Sequence, residues 1–441
     1  MHLSNPQRAK YRAGHSPFIL NIRTRIGTFH DGQDPARVGT AVSQPMNSNI
    51  LIAGAGAFGL SAALALTERG HRVALVDPTG PASHSQAASR DISKIVRSEY
   101  WSDPAYTELA EAAIDCWHEW NERFGLLYHE TGITLLAPAW QPDSYEAQSL
   151  ATARKFGKQV QQLDADDIAR RFPMVKKGSL TVGYHNPRGG YAEALEALRT
   201  LCRELMDRGV DFHVARMVER PAVRGGRCFG FRLSDGGLLE ADHMLVCGGA
   251  WTGTLIPGME TNVRPTGQPL FHLQVANPVA YTPPDFPVMM LDIANTGTYV
   301  LPQHPTQQVV KVGLHTSGRD LDPVRDDRIV TDTETRILRR MFSKYMPELA
   351  AAPIIDSRIC LYCDTPDCDF WIDRHPDIAN LTVACGGSGH GFKFMPVLGD
   401  IIADVVEGKP NRYHGKFRWR EPAPEQSPHS ERVDLADLTR D

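Results

Sequence analysis

Three glycines stand at Gly54, Gly56 and Gly59, directly after the apolar run Asn49-Ile-Leu-Ile-Ala53. Their spacing suits a turn that must approach a pyrophosphate. Gly54 allows the tight turn, Gly56 brings the backbone near the phosphates, and Gly59 lets the next helix pack against the strand. Phosphate charge would rest at that helix N-terminus, whose free N–H groups and dipole favour anions. A second apolar run, Val73-Ala-Leu-Val-Asp77, ends in a carboxylate placed to accept hydrogen bonds from ribose hydroxyls. Glycines alone could mark a structural turn. Strand, helix, strand and terminal acid in this order predict a dinucleotide site.

Two more Gly-rich loops follow apolar strands. Cys247-Gly-Gly-Ala-Trp251 follows a strand expected over Leu238–Val246. Cys385-Gly-Gly-Ser-Gly-His-Gly391 follows Leu381-Thr-Val-Ala384 and opens a helix. A late loop before a helix can set backbone donors near a flavin ring. A simple NAD dehydrogenase has less use for it, so FAD is the expected cofactor.

The segments Cys360-Leu-Tyr-Cys-Asp-Thr-Pro-Asp367, Ile372-Asp-Arg-His-Pro376 and Gly386-Gly-Ser-Gly-His-Gly-Phe-Lys-Phe394 extend the pattern. With them the chain resembles the monomeric sarcosine oxidase family, which includes pipecolate, saccharopine and fructosyl amino acid oxidases (amadoriases). The resemblance runs from Asn49 to Glu407 and leaves out the first forty-five residues and the tail.

The resemblance implies an FAD-dependent oxidase of the C–N bond of an N-substituted (secondary) amino acid, acting through an imine and releasing hydrogen peroxide. Cys360 matches the cysteine that holds FAD through an 8α-S-cysteinyl bond; otherwise it is a buried thiol. Lys311, in Val310-Lys-Val-Gly-Leu-His315, matches the lysine placed near the flavin for oxygen reduction. A fixed cation there would stabilise the charge of superoxide in a dry site. The alternative is a solvated strand lysine. His315 matches an active-site histidine or serves structure.

Asp91-Ile-Ser-Lys-Ile-Val-Arg97 matches the segment that lies against the flavin. Arg97 and Lys393 match the pair that grips the substrate carboxylate, a task that suits the bidentate guanidinium. Surface salt bridges are their bland reading. Tyr299 and Tyr362 match pocket tyrosines, or pack with a bonded hydroxyl. Ser89, Gly248, Ala250, Trp251, Gly386, Gly389, His390, Gly391 and Lys393 are the remaining cofactor contacts implied. Lys94 stands where sarcosine oxidases carry Arg and fructosyl amino acid oxidases carry Lys. With Phe417-Arg-Trp-Arg420 it leans toward fructosyl or saccharopine-like substrates. Sarcosine and pipecolate stay open. So does a flavin dehydrogenase that passes electrons to a partner protein.

Positioning these residues takes a chain of 441 residues, enough for two domains. The expected fold is α/β, in detail an α+β two-domain arrangement. A Rossmann-like FAD-binding domain of the glutathione-reductase/D-amino-acid-oxidase type would be assembled from residues 47–130, 185–262 and 370–412. A β-sheet-rich substrate domain would take 131–184 and 263–369. Helices are expected over Leu109–Phe124, within Tyr145–Arg171, and over Tyr191–Arg208, Thr331–Tyr345 and Pro396–Val406. Residues 1–46 are Arg-rich and acid-poor, and are expected to be a disordered extension, a transit segment, or the product of a start placed ahead of Met46. Residues 413–441 form a tail, polar from Glu421 and expected to be loose.

Bulk composition excludes several classes. The net charge of -5 gives no general attraction to nucleic acid or anionic membrane. Ile50–Leu66 is apolar enough to suggest an anchor, but its glycines and the following Asp77 fit the nucleotide fold better. Eight unevenly spaced cysteines point to a reduced, cytoplasmic setting and not to a disulfide framework. Cys360, Cys363 and Cys368 with His375 lack a fourth ligand at a usual zinc spacing, so no metal is expected. The partners expected are a small secondary amino acid and molecular oxygen, in a monomer or weak homo-oligomer.

Overall fold

The computed structural model describes residues 49–79, 86–214, 216–421 and 432–439. The expectation for residues 1–46 lies outside the described residues.

The glycine turn sits in a six-stranded sheet. Its order is Trp371–Arg374, Leu381–Cys385, His243–Val246, Ile50–Ala53, Val73–Asp77, Asp211–Val214. All neighbours are parallel except the first pair. The central strands are buried on both faces, which is why they read as unbroken apolar runs. One face is covered by the helices Ala57–Glu68, Ala194–Asp207 and Met395–Glu407. The first and last of these touch at Gly399, where a Cβ would lie 2.3 Å from the Ser61 carbonyl oxygen. The other face is covered by the antiparallel strands Val218–Arg224, Arg227–Leu233 and Leu238–Glu240.

A nine-stranded sheet carries the rest of the chemistry. Its order is Arg319–Asp320, Arg264–Leu273, Val310–Leu314, Thr298–Gln303, Val288–Leu291, Ile133–Ala137, Val182–Asn186, Gln161–Leu163, and Ile354–Asp364 also pairs with Arg264–Leu273. The period of two sorts its side chains. Phe271, Val312 and Val300 stand opposite one another on the face packed on the helix Asp332–Tyr345. His272, Lys311, Tyr299, Arg358, Cys360 and Tyr362 fall on the other face. A small sheet of Ser93–Val96, Gly190–Glu193 and Tyr128–His129 places Lys94.

Several expected elements are divided. The stretch Tyr191–Arg208 begins as a strand through Glu193, and the helix starts at Ala194, because Tyr191 and Ala192 pair with Ile95 and Lys94. Leu238–Val246 is two strands in different sheets, parted at Ala241 and Asp242. Within Tyr145–Arg171 two helices flank the strand Gln161–Leu163. The tail is not loose over 432–439. Val433 bridges to Thr316, Leu438 joins the second core, and Arg432 makes a buried ion pair with Asp364.

Candidate active site

A cavity of ≈ 510 Å³ runs along the carboxyl ends of Ile50–Ala53 and Val73–Asp77. Gly54 has φ +105°, and a Cβ there would meet the Cys247 carbonyl oxygen at 2.4 Å. A Cβ at Gly59 would lie 1.9 Å from Gly54 O. Backbone therefore approaches backbone at both places, and only glycine fits. Gly56 faces Ser89, whose Oγ accepts from Ala57 N at 2.9 Å and keeps its own hydrogen for an anion. Asp77 accepts from Ala55 N through Oδ2 and from Thr79 N through Oδ1, both at 3.0 Å. It braces the turn, and lone pairs remain for a ribose hydroxyl.

Gly248, Ala250, Trp251, Gly386, Gly389 and Gly391 line the same cavity. At Gly389, φ is +73° and a Cβ would enter the Tyr362 ring, 2.1 Å from the nearest carbon. This long cavity, with a glycine-walled helix start and a far wall of backbone, fits an extended FAD.

His390 and Lys393 belong instead to a second cavity of ≈ 90 Å³, lined also by Arg97, Tyr299, Lys311 and His315. Lys94, Tyr362, Gly389 and Phe392 line both cavities, so the two adjoin. The nine-stranded sheet supplies Tyr299, Lys311 and Tyr362, the small sheet supplies Lys94, and the late glycine loop supplies Lys393.

The charges in the second cavity fall into two groups. Lys311 Nζ lies 2.6 Å from Asp91 Oδ2 and also donates to Ser93 O. The same carboxylate oxygen lies 3.1 Å from Lys94 and 3.2 Å from Arg358. Burial pushes the Asp91 carboxyl up, but Lys311, Lys94 and Arg358 outweigh it and hold the group well below the usual range. Burial lowers Lys311 to about 8 against the pull of Asp91. Burial also works against the charge on Lys94, but Cys360 and Asp91 raise its pKa overall. Cys360 Sγ is 3.5 Å from Lys94 Nζ, on the sheet face shared with Tyr362. Cys363 points the other way, into the apolar cluster with Cys385 and Trp371.

The second group has no carboxylate in contact with it among the described residues, although Glu99 acts on both its members from farther away. Arg97 donates to Tyr145 Oη and lies over the Tyr100 ring at 5.1 Å. Lys393 donates to Tyr100 Oη and to His390 O, each at 2.9 Å. Among the described residues, neither has a carboxylate within ion-pair distance. The carboxylate of Glu99 is engaged by Asn186 and by Ser98 N. Burial, then the charge of Arg97, pushes Lys393 well below the ordinary lysine value. His315 is held neutral by burial and by Arg432, Arg97 and Lys393.

The DAO family, described as FAD dependent oxidoreductase, matches residues 49–405. The chain belongs to this family. Among its relatives is the monomeric sarcosine oxidase of Streptomyces avermitilis, 28% identical over 81% of this chain and 93% of that protein. The L-saccharopine oxidase of Schizosaccharomyces pombe is 25% identical over 85% of this chain and 94% of that protein. Among solved structures, the fructosamine oxidase Amadoriase II of Aspergillus fumigatus superposes with a TM-score of 0.75 at 25% identity, covering 88% of this chain and 96% of that one. Membership fixes FAD as the cofactor of this DAO-family chain and the FAD-binding fold as its architecture.

Some residues at the DAO-type site were not singled out by sequence. Asp91 is the central counter-ion, and the sequence named it only as the first residue of the segment expected against the flavin. Tyr100 and Tyr145 hold the two cations without carboxylates. Arg432 donates to Asp364 and Ser388 O, and its guanidinium is 5.4 Å from the Tyr362 ring centre. It lies in a stretch whose composition signalled nothing. Among the described residues no His/Cys/Asp/Glu group could hold a metal, and no helix is long and apolar enough to cross a membrane.

Proposed function

We propose that this DAO-family protein oxidises the C–N bond of an N-substituted amino acid, giving an imine and hydrogen peroxide. One observation carries the reading. Arg97 and Lys393 are buried basic groups that line one small cavity and lack a carboxylate partner among the described residues, and burial and Arg97 weaken the charge on Lys393. Two cations so placed repel each other unless an anion lies between them, and a substrate α-carboxylate is that anion. The cavity adjoins the FAD cavity through Lys94 and Tyr362, so a carboxylate gripped there leaves the neighbouring C–N bond beside the cofactor. The names of the relatives support the same class: sarcosine oxidase and saccharopine oxidase are enzymes of N-substituted amino acids, and fructosamine oxidase is an enzyme of an N-substituted amine.

FAD, when bound, accepts the two electrons and returns them to oxygen. The chain's own residues bind and orient. Arg97 and Lys393 hold the carboxylate, Tyr145 and Tyr100 fix those cations, and His315 and Tyr362 border the substrate. Lys311 presents positive charge where oxygen becomes anionic. We assign Cys360 as the site of covalent FAD attachment. Its place beside Lys94, on the face shared with Tyr362, supports this choice over Cys363. We also divide the chain into a discontinuous FAD domain and a β-rich substrate domain, a reading that the separate six-stranded and nine-stranded sheets support.

The test is peroxide release from purified holoenzyme with sarcosine, pipecolate, saccharopine and fructosyl amino acids, each paired with its decarboxylated amine. Peroxide from the amino acids and not from the amines is the expected result. The reverse preference would remove the carboxylate assignment.

A further inference from the structure

Asp356, His272 and Lys311 form a row across three neighbouring strands, each residue directly opposite the next. Opposed residues of antiparallel strands project to one face with Cβ atoms about 4.5–5.5 Å apart. The row starts in solvent, where the Asp356 side chain is 61% exposed, and passes through His272, 9% exposed. It ends at Lys311, 3% exposed. His272 Nδ1 lies 3.1 Å from Asp356 Oδ2, so the neutral ring carries its proton there. Its Nε2 is buried and has no hydrogen-bond partner among the described residues. His213 and His375 also leave a buried Nε2 without a hydrogen bond, but only at His272 among these three does the register set the ring between a solvent carboxylate and Lys311.

The charged groups facing this ring are Asp356, Lys311 and Asp91, with Lys94 and Arg358 on Asp91 behind them. We propose that Asp356 and His272 form a proton path between solvent and the Lys311–Asp91 pair. The proposal rests on the oxidase reading above.

The reaction needs such a path in both directions. Oxidation of a protonated secondary amine to its iminium sends a hydride equivalent to the cofactor and frees one proton. His272 Nε2 and Lys311 Nζ lie beyond hydrogen-bond distance of each other, so that proton leaves from Lys311 to His272 Nε2 through one water, while the Nδ1 proton passes to Asp356 and bulk water. The ring is left with its proton on Nε2. Oxygen then takes two electrons and one proton from the reduced cofactor and a second proton from solvent, giving hydrogen peroxide. The solvent proton enters at Nδ1 and the Nε2 proton goes to Lys311, which restores the first tautomer without turning the ring. Burial weakens His272 as a base, which favours handing the proton inward to Lys311 and makes the outward transfer the harder of the two.

Two variants test the path, His272→Gln and the exposed Asp356→Asn. Photoreduced holoenzyme is mixed with oxygen in light and heavy water. In both variants reoxidation should slow by roughly 10-fold or more, with a larger solvent isotope effect, and added imidazole should restore His272→Gln. Proton release during anaerobic reduction, followed with an indicator dye, should lag behind flavin bleaching. In resting protein labelled with ¹⁵N-histidine, His272 should show the Nδ1–H tautomer and exchange with solvent more slowly in Asp356→Asn. Unchanged isotope effects and exchange, or a loss that imidazole does not restore, overturn the path. If no amino acid reduces the wild type, the substrate reading fails while the photoreduced assay still judges the path. If photoreduced wild type ignores oxygen, the oxidase reading fails and the histidine spectra decide the path alone.

Discussion

The ammonium of Lys311 and the carboxylate of Asp91 meet at 2.6 Å, with side-chain exposures of 3% and 0%. Asp91 is therefore the reason a lysine this deep keeps its charge. If Lys311 assists oxygen reduction as a cation, reoxidation should be fast below the lysine's pKa and fall as pH rises through about 8. In Asp91→Asn the counter-ion is gone, the pKa drops further, and the fall should move to lower pH. Stopped-flow reoxidation across pH reads the midpoint, and a midpoint that stays put would assign the titration to another group.

Lys311→Met should slow reoxidation by about 10²–10³-fold, the usual loss for one electrostatic donor. Anaerobic reduction by substrate should suffer much less. Equal losses in both half-reactions would place Lys311 in substrate or flavin binding instead.

Wild-type protein precipitated with acid should stay yellow, and Cys360→Ala should release its flavin to the supernatant. Cys363 lies on the opposite face of the same strand, so Cys363→Ala should keep the colour in the pellet. The opposite pattern would move the attachment to Cys363.

Arg97→Ala removes charge-assisted hydrogen bonds of about 1.5–3 kcal/mol each. kcat/KM for an N-substituted amino acid should fall by roughly 10- to 100-fold or more. The decarboxylated amine, which never used the guanidinium, should lose little. Equal losses for the pair would show that Arg97 shapes the cavity and does not read the carboxylate.

Arg432 and Asp364 are both nearly buried, with side-chain exposures of 7% and 9%. Arg432→Ala strands the carboxylate and should cost about 3–5 kcal/mol. Arg432→Met combined with Asp364→Leu should recover much of that loss, since a buried pair is often replaceable by apolar groups. Urea unfolding of the single and double variants gives both numbers. A single variant as stable as wild type would show that Asp364 finds another partner, with Thr266, already its donor, the first place to look.

Local pattern made much of this legible. The glycine turn, the terminal Asp77 and the buried parallel strands carry their own signals, since each answers to neighbours a few residues away. The family resemblance alone brings Arg97, Lys311 and Lys393 to one site. What stayed hidden depends on pairings distant in sequence. Tyr191 looks like part of a helix until Ile95 claims it as a strand partner. His272 reads as one more residue of a sheet until its register sets it between Asp356 and Lys311. Arg432 lies 68 residues after Asp364, in a stretch with no periodicity to mark it as buried.

That last interval also sets an order in time. During synthesis Asp364 leaves the ribosome 68 residues ahead of Arg432. At ~5–20 residues per second, the delay is roughly 3–14 s. For that time the strand bearing Cys360 and Tyr362 exists without the guanidinium that neutralises its end. The nascent protein thus has its glycine turn long before the wall around Tyr362 is complete. Cofactor capture can begin on the ribosome, but the closed site has to wait for Arg432.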